Sequence, residues 1–128
     1  MGGVITVGCL VCFPDRERQK LVLENEFCFY LQLEQAVLPG SGIIIPKAHR
    51  ETVFDLTREE WASTFDLMQE VNSYTDHEYS PQGHNVGWNE GEIGGQEIFH
   101  VHLHVIPRFA DEPYAGRGIR YWLKQDAN

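Results

Sequence analysis

The segment His100-Val101-His102-Leu103-His104-Val105-Ile106 constrains this chain more than any other. In an extended strand, side chains at i, i+2 and i+4 point to one face. The alternation therefore predicts a strand over residues 98–107, with the three imidazoles on one face and Val101, Leu103 and Val105 on the other. The aliphatic face is suited to a core. Each imidazole carries polar nitrogens that need partners when buried. The histidine face is thus expected to bind or attack something. On a straight strand, neighbouring rings stand about 6.6 Å apart and the outer two about 13 Å apart. Two neighbours can share a metal ion, but a simple three-histidine metal site is awkward, so at least one ring needs another role. A neutral imidazole, with an ordinary pKa of about 6.5, is a good nucleophile toward phosphorus.

Composition narrows the alternatives. The 128 residues are expected to form one domain, with residues 1–20 as an irregular leader and 109–128 as a tail. A net charge of −9 argues against a nucleic-acid polymer or an anionic membrane as partner, but leaves room for a small phosphate ligand in a locally favourable pocket. Three cysteines, no convincing export signal and no segment of membrane-spanning length point to a reduced, cytoplasmic setting.

Strands are expected over 20–23 and 27–33, joined by the turn Glu24-Asn25-Glu26. Another covers 43–45 and ends at Pro46. Thr57-Arg58-Glu59-Glu60 has the form of a capping box opening a helix. Trp61, Phe65, Met68 and Val71 recur at helical spacing and are expected to pack on a sheet; the helix should stop before Pro81. A further strand is expected over 84–89. The glycine-rich Glu90-Gly91-Glu92-Ile93-Gly94-Gly95 follows, with a backbone free to approach a ligand. Ile119-Arg120-Tyr121-Trp122-Leu123 is a short apolar segment in the tail. Together these elements predict an α+β domain: an antiparallel sheet of about five strands with one long helix and a short one.

Cys9-Leu10-Val11-Cys12 is ambiguous by itself. A redox pair normally opens a helix after a strand, a pattern not seen here. Two thiolates supply half of a zinc site. Two partly buried thiols are the plain alternative. Cys28, between Phe27 and Phe29, reads as core.

Residues 94–108 resemble the signature of the histidine-triad (HIT) family. Ile43-Ile44-Ile45-Pro46-Lys47-Ala48-His49 is similar to that family's strand and Pro-Lys-x-His turn, and Asn89-Glu90-Gly91 to its asparagine loop. The resemblance covers roughly residues 9–108. It implies a HIT-like fold, a homodimer with a continuous sheet, and hydrolysis or transfer at a nucleotide α-phosphate. His102 would be the nucleophile and form a nucleotidyl-histidine. His104 would donate to the phosphate oxygens, and Asn89 and Gln96 would contribute to the same pocket. The resemblance to bacterial-type members also implies a structural zinc site of Cys9, Cys12, His49 and His100, which leaves His102 and His104 for the phosphate.

The chain departs from the family at several positions. Glu97 stands where many relatives have Ser or Thr, and a carboxylate there repels a phosphate unless it is protonated or turned away. The usual ribose-binding position falls on Leu33, with Gln32 or Glu34 as substitutes if the register shifts. Ser41 replaces a common histidine. Arg108, Arg117 and Arg120 are within possible reach of a phosphate, although such arginines more often pair with surface acids, and His77 and His84 read as surface residues. Two rivals remain: a non-catalytic, zinc-stabilised nucleotide-binding module, and a metalloenzyme built on His100 and His102.

Overall fold

The computed structural model describes residues 20–125. Cys9, Cys12 and the expected leader up to residue 19 lie outside the described residues. Five strands form one antiparallel sheet: β1 (Lys20–Glu24), β2 (Cys28–Gln32), β3 (Gly42–Pro46), β4 (Gly83–Trp88) and β5 (Leu103–Arg108). Their spatial order is β1-β2-β3-β5-β4. One long helix, α1 (Arg58–Tyr79), connects β3 to β4 after a short 3-10 turn, Val53–Asp55. A second 3-10 turn, Ile119–Lys124, lies in the tail. Among the described residues, no helix is long and apolar enough to cross a membrane.

The local chemistry accounts for these elements. Asn25 closes the first hairpin by accepting the Cys28 amide, and its side-chain nitrogen donates to the Ser63 carbonyl at 2.8 Å, tying the turn to α1. Thr57 caps α1 as expected: its hydroxyl accepts the Glu60 amide, while the Glu60 carboxylate accepts the Thr57 amide. At the other end Ser80 takes the left-handed conformation, φ +50°, and stops the helix ahead of Pro81.

The sheet has two different faces. Cys28, Tyr30, Ile44, Leu103 and Val105 pack with Leu67 and Val71 of α1. Leu31, Ile43 and Ile45 form a second cluster on the opposite face. Cys28 is fully buried, in line with the core reading, and burial raises its thiol pKa. The aromatic stripe of α1 is only partly what its periodicity suggested. Val71 is buried, but Trp61 and Phe65 remain 47% and 57% exposed. The buried stripe instead runs through Glu60, Thr64, Leu67, Val71 and Thr75. Glu60 can sit inside because Arg50 meets its carboxylate at 3.0 and 3.2 Å. That rotation turns Trp61 toward the sheet margin, where it stacks edge-on against Trp88 with ring centres 5.6 Å apart.

The strand expected over 98–107 begins later, at Leu103. The last pair between β3 and β5 is Ile44 with Leu103. Pro46 has no N–H to extend that ladder. Its carbonyl instead accepts the His100 ring, and the Val101 amide donates to the Arg50 carbonyl at 2.7 Å. The alternation of faces survives this departure from the strand: Val101, Leu103 and Val105 are buried, and His102 and His104 are half-buried.

Candidate active site

His104 pairs with Ile43 on one side and Gly87 on the other, so it stands on an interior strand of the sheet, on the face opposite α1. His102 precedes it in the bend, and the two rings meet edge-on with centres 4.8 Å apart. His102 Nδ1 lies 2.9 Å from the His100 carbonyl oxygen. A carbonyl only accepts, so Nδ1 carries the hydrogen. In the neutral ring this leaves the lone pair on Nε2. Burial pushes the His104 pKa down, with His102 adding to the effect, so His104 is neutral at neutral pH.

His100 is a different group despite its place in the same row. It is fully buried, and its Nε2 stands 2.8 Å from the Pro46 carbonyl, which assigns the hydrogen to Nε2. Burial, only partly offset by that bond, lowers its pKa to about 4. Its ring meets His49 edge-on with centres 4.8 Å apart. The two histidines expected to share a metal are therefore neighbours. Among the described residues, no group of three or more His, Cys, Asp or Glu side chains is arranged to hold a metal ion.

The loop between β4 and the histidine bend is tightly folded. The Gln96 amide donates to the Gly91 carbonyl at 3.0 Å, and a Cβ on Gly94 would fall 2.2 Å from the Glu90 carbonyl, so only glycine fits there. Gly95 takes φ +100° and brings its backbone beside the Asn89 side chain. The Gln96 side chain is buried and braces the loop: it donates to the carbonyls of Glu51 and Ile98 and accepts the Gly91 amide. Asn89 and His104 both line a cavity of about 400 Å³, with Ile106, Asn85, Ile119 and Trp122 around it.

Other candidate residues do not gather there. Gln32 accepts from the Tyr74 hydroxyl at 2.9 Å and donates to Tyr79 at 2.5 Å, which places it against α1. Glu34 and Glu97 are exposed. His77 is exposed, whereas His84 is half-buried and meets the Thr75 hydroxyl at 3.1 Å. Arg108 pairs with an acid, as such arginines usually do. Its guanidinium meets the Glu112 carboxylate through two nitrogens and also donates to the Asn85 side chain and to the carbonyls of Tyr114 and Arg117. This one side chain fastens the tail to β4 and β5.

A profile of the HIT domain matches residues 15–111. The chain belongs to the HIT family. It is 32% identical over 101 residues to Protein hit of Bacillus subtilis, covering 79% of this chain and 69% of that protein. It is 31% identical over 91 residues to the bis(5'-adenosyl)-triphosphatase of Dictyostelium discoideum, covering 71% and 61% respectively. In three dimensions it resembles a HIT family protein from Bacillus anthracis, with TM-score 0.73, 29% identity and coverage of 84% and 77%. The five-stranded antiparallel sheet with one long helix is the HIT fold, as the resemblance implied. Ile119 and Trp122 lie past the matched span yet line the same cavity as His104. Sequence reading noted their segment but gave it no role. The available signal was three large apolar residues close together in a tail, Ile119, Trp122 and Leu123, which the structure leaves exposed.

Proposed function

We propose that this protein hydrolyses a nucleotide conjugate at its α-phosphate through a covalent intermediate on His102. The protein is an enzyme of the HIT class. The observation that carries the reading is the 2.9 Å contact from His102 Nδ1 to the His100 carbonyl, because it leaves Nε2 as the nucleophilic nitrogen. Nε2 bonds to phosphorus while the bond to the leaving group breaks and the leaving group keeps that electron pair. Water then displaces Nε2, releasing the nucleoside monophosphate and a proton. Neutral His104 donates a hydrogen bond to the phosphate oxygens, and the Asn89 amide adds a second donor where charge develops. Gln96 serves the pocket by holding the loop that carries Asn89.

A zinc ion bound by Cys9, Cys12, His49 and His100 is part of the same proposal. The fit rests on the half of the site that is described. Nε2 of His100 donates to a carbonyl, the usual support for a metal-bound imidazole, which would leave Nδ1 as the ligand atom, and the His49 ring lies beside it. The ion would cross-link the leader to the sheet and supply stability. The protein would also form a homodimer through β4. That strand is at the sheet edge, and beside it Trp61, Phe65, Met68 and Trp88 line an apolar groove of about 240 Å³. Light scattering on wild type and Phe65→Glu tests the dimer.

The central experiment is rapid-quench analysis of wild type with a radiolabelled dinucleoside polyphosphate. An acid-labile labelled protein, absent in His102→Ala, supports the mechanism. Turnover retained in His102→Ala overturns it.

A further inference from the structure

We propose that the tail forms a cationic subsite for the leaving group, so that the preferred substrates release a group bearing two or more phosphates. The inference rests on the α-phosphate reading above and names the substrate class within it.

Residues 113–125 contain three of the chain's ten Lys and Arg residues and none of its nineteen Asp and Glu residues. In a protein of net charge −9, which repels polyanions at long range, this is a local reversal of sign. Arg117, Arg120 and Lys124 line a cavity of about 540 Å³ together with Asn85 and Tyr121. That cavity adjoins the one that contains His104 along β4: Asn85, Val86 and Ile119 line both. A conjugate whose α-phosphate sits at His102 and His104 can therefore lay its remaining phosphates toward the cations.

The three cations are available for this role. All are exposed, and none forms an ion pair among the described residues. Two acids flank the segment in sequence: Glu112 is already held by Arg108, and Asp126 lies outside the described residues. The segment is also held in place. Arg108 fastens the carbonyls of Tyr114 and Arg117, and the Arg117 guanidinium lies over the rings of Tyr114 and Tyr121 at 5.8 and 5.2 Å. Pre-positioned guanidinium groups suit phosphate oxygens, which they meet through paired donors. His84 also lines this cavity, but burial lowers its pKa and it contributes no charge at neutral pH. A neutral amine leaving group would gain nothing from such a subsite.

The test compares wild type with Arg117→Gln/Arg120→Gln/Lys124→Gln, and with Arg120→Gln/Lys124→Gln, which leaves the Arg117 stack intact. The kcat/KM for a dinucleoside tetraphosphate is divided by that for a nucleoside phosphoramidate of a neutral amine. The ratio should fall at least about tenfold in the triple variant and by a smaller factor in the double. Raising salt should lower the wild-type ratio and leave that of the triple variant nearly flat. An unchanged ratio overturns the proposal. A fall accompanied by altered mass in light scattering also overturns it, because the cations would then belong to an interface. Binding of inorganic tripolyphosphate is measured in parallel by calorimetry. If wild type cleaves neither substrate, the hydrolase reading fails, and tripolyphosphate bound by wild type but not by the triple variant still upholds the cationic subsite. Equal binding by both proteins overturns it.

Discussion

The histidine bend, through the neighbouring His104, and the C-terminal tail meet at one cavity but are built in opposite ways. The bend leads directly into the interior strand β5, and backbone groups fix it: Pro46 orients His100, the His100 carbonyl orients His102, and Arg50 holds the Val101 amide. The tail lies at the sheet edge, fastened mainly by Arg108, and presents Ile119 and Trp122 more than 70% exposed. A reacting nitrogen must be placed to a fraction of an ångström, which a rigid, water-poor setting provides. A group that attracts a flexible chain of phosphates can work from the surface, because charge acts over several ångströms.

This contrast breaks most sharply at His102. His102→Ala should abolish turnover by at least about a thousandfold while leaving the folded state and nucleotide binding in place. Steady-state rates beside a thermal melt would show it. Comparable activity in the variant would mean that the bend is not where the chemistry happens.

Next comes the support beneath the bend. Arg50 joins α1 to the bend through its side chain, on Glu60, and its carbonyl, on Val101. Arg50→Ala leaves the Glu60 carboxylate, only 3% exposed, without its cation. The expected loss is about 3–5 kcal/mol in chemical denaturation, the usual result of breaking one side of a buried pair. A loss below about 1 kcal/mol would show that Glu60 finds water or another partner.

A third test uses pH. The folded His100 pKa of about 4 lies below the ordinary value, so the unfolded chain takes up the proton first as pH falls. This imposes no cost above about pH 6.5. Between there and pH 4, stability should fall by about 1.4 kcal/mol per pH unit from this group, with His104 contributing in the same direction. Denaturation in the presence of a chelator reads the imidazole rather than a metal. His100→Asn should flatten the profile; an unchanged slope would place the buried proton acceptor elsewhere.

How far the sequence disclosed this arrangement depends on the range of the forces involved. The capping box at Thr57 and Glu60 and the alternation through Val105 are local patterns, and both were readable. The early end of the β5 ladder depended on Pro46, more than fifty residues away, where a missing N–H meets the bend. The exposure of Trp61 and Phe65 followed from Arg50 drawing Glu60 inward, a pairing that helical periodicity does not contain. Gln32 was a substitute for the ribose position at Leu33 if the register shifts, but the two tyrosines of α1 claim its side chain. The cavity role of Ile119 and Trp122 required knowing where Arg108 would fasten the tail.

The smallest expected effect on global stability, and the most local, concerns that fastening. Glu112 holds the Arg108 guanidinium, whose remaining hydrogens serve Asn85 and two tail carbonyls. Arg108→Ala removes these contacts together while the sheet keeps both core clusters. Melting temperature should therefore drop by only about a few degrees. Hydrogen exchange should accelerate strongly over residues 113–125 and little in the bend, because stability is distributed unevenly and the tail would lose its main tether. If the tail carries the leaving-group subsite, the same variant should lose polyphosphate selectivity although all three cations remain. Protection of the tail retained in Arg108→Ala would mean that other contacts of the 3-10 turn hold it, and the bend and tail would then be less different in construction than their contacts indicate.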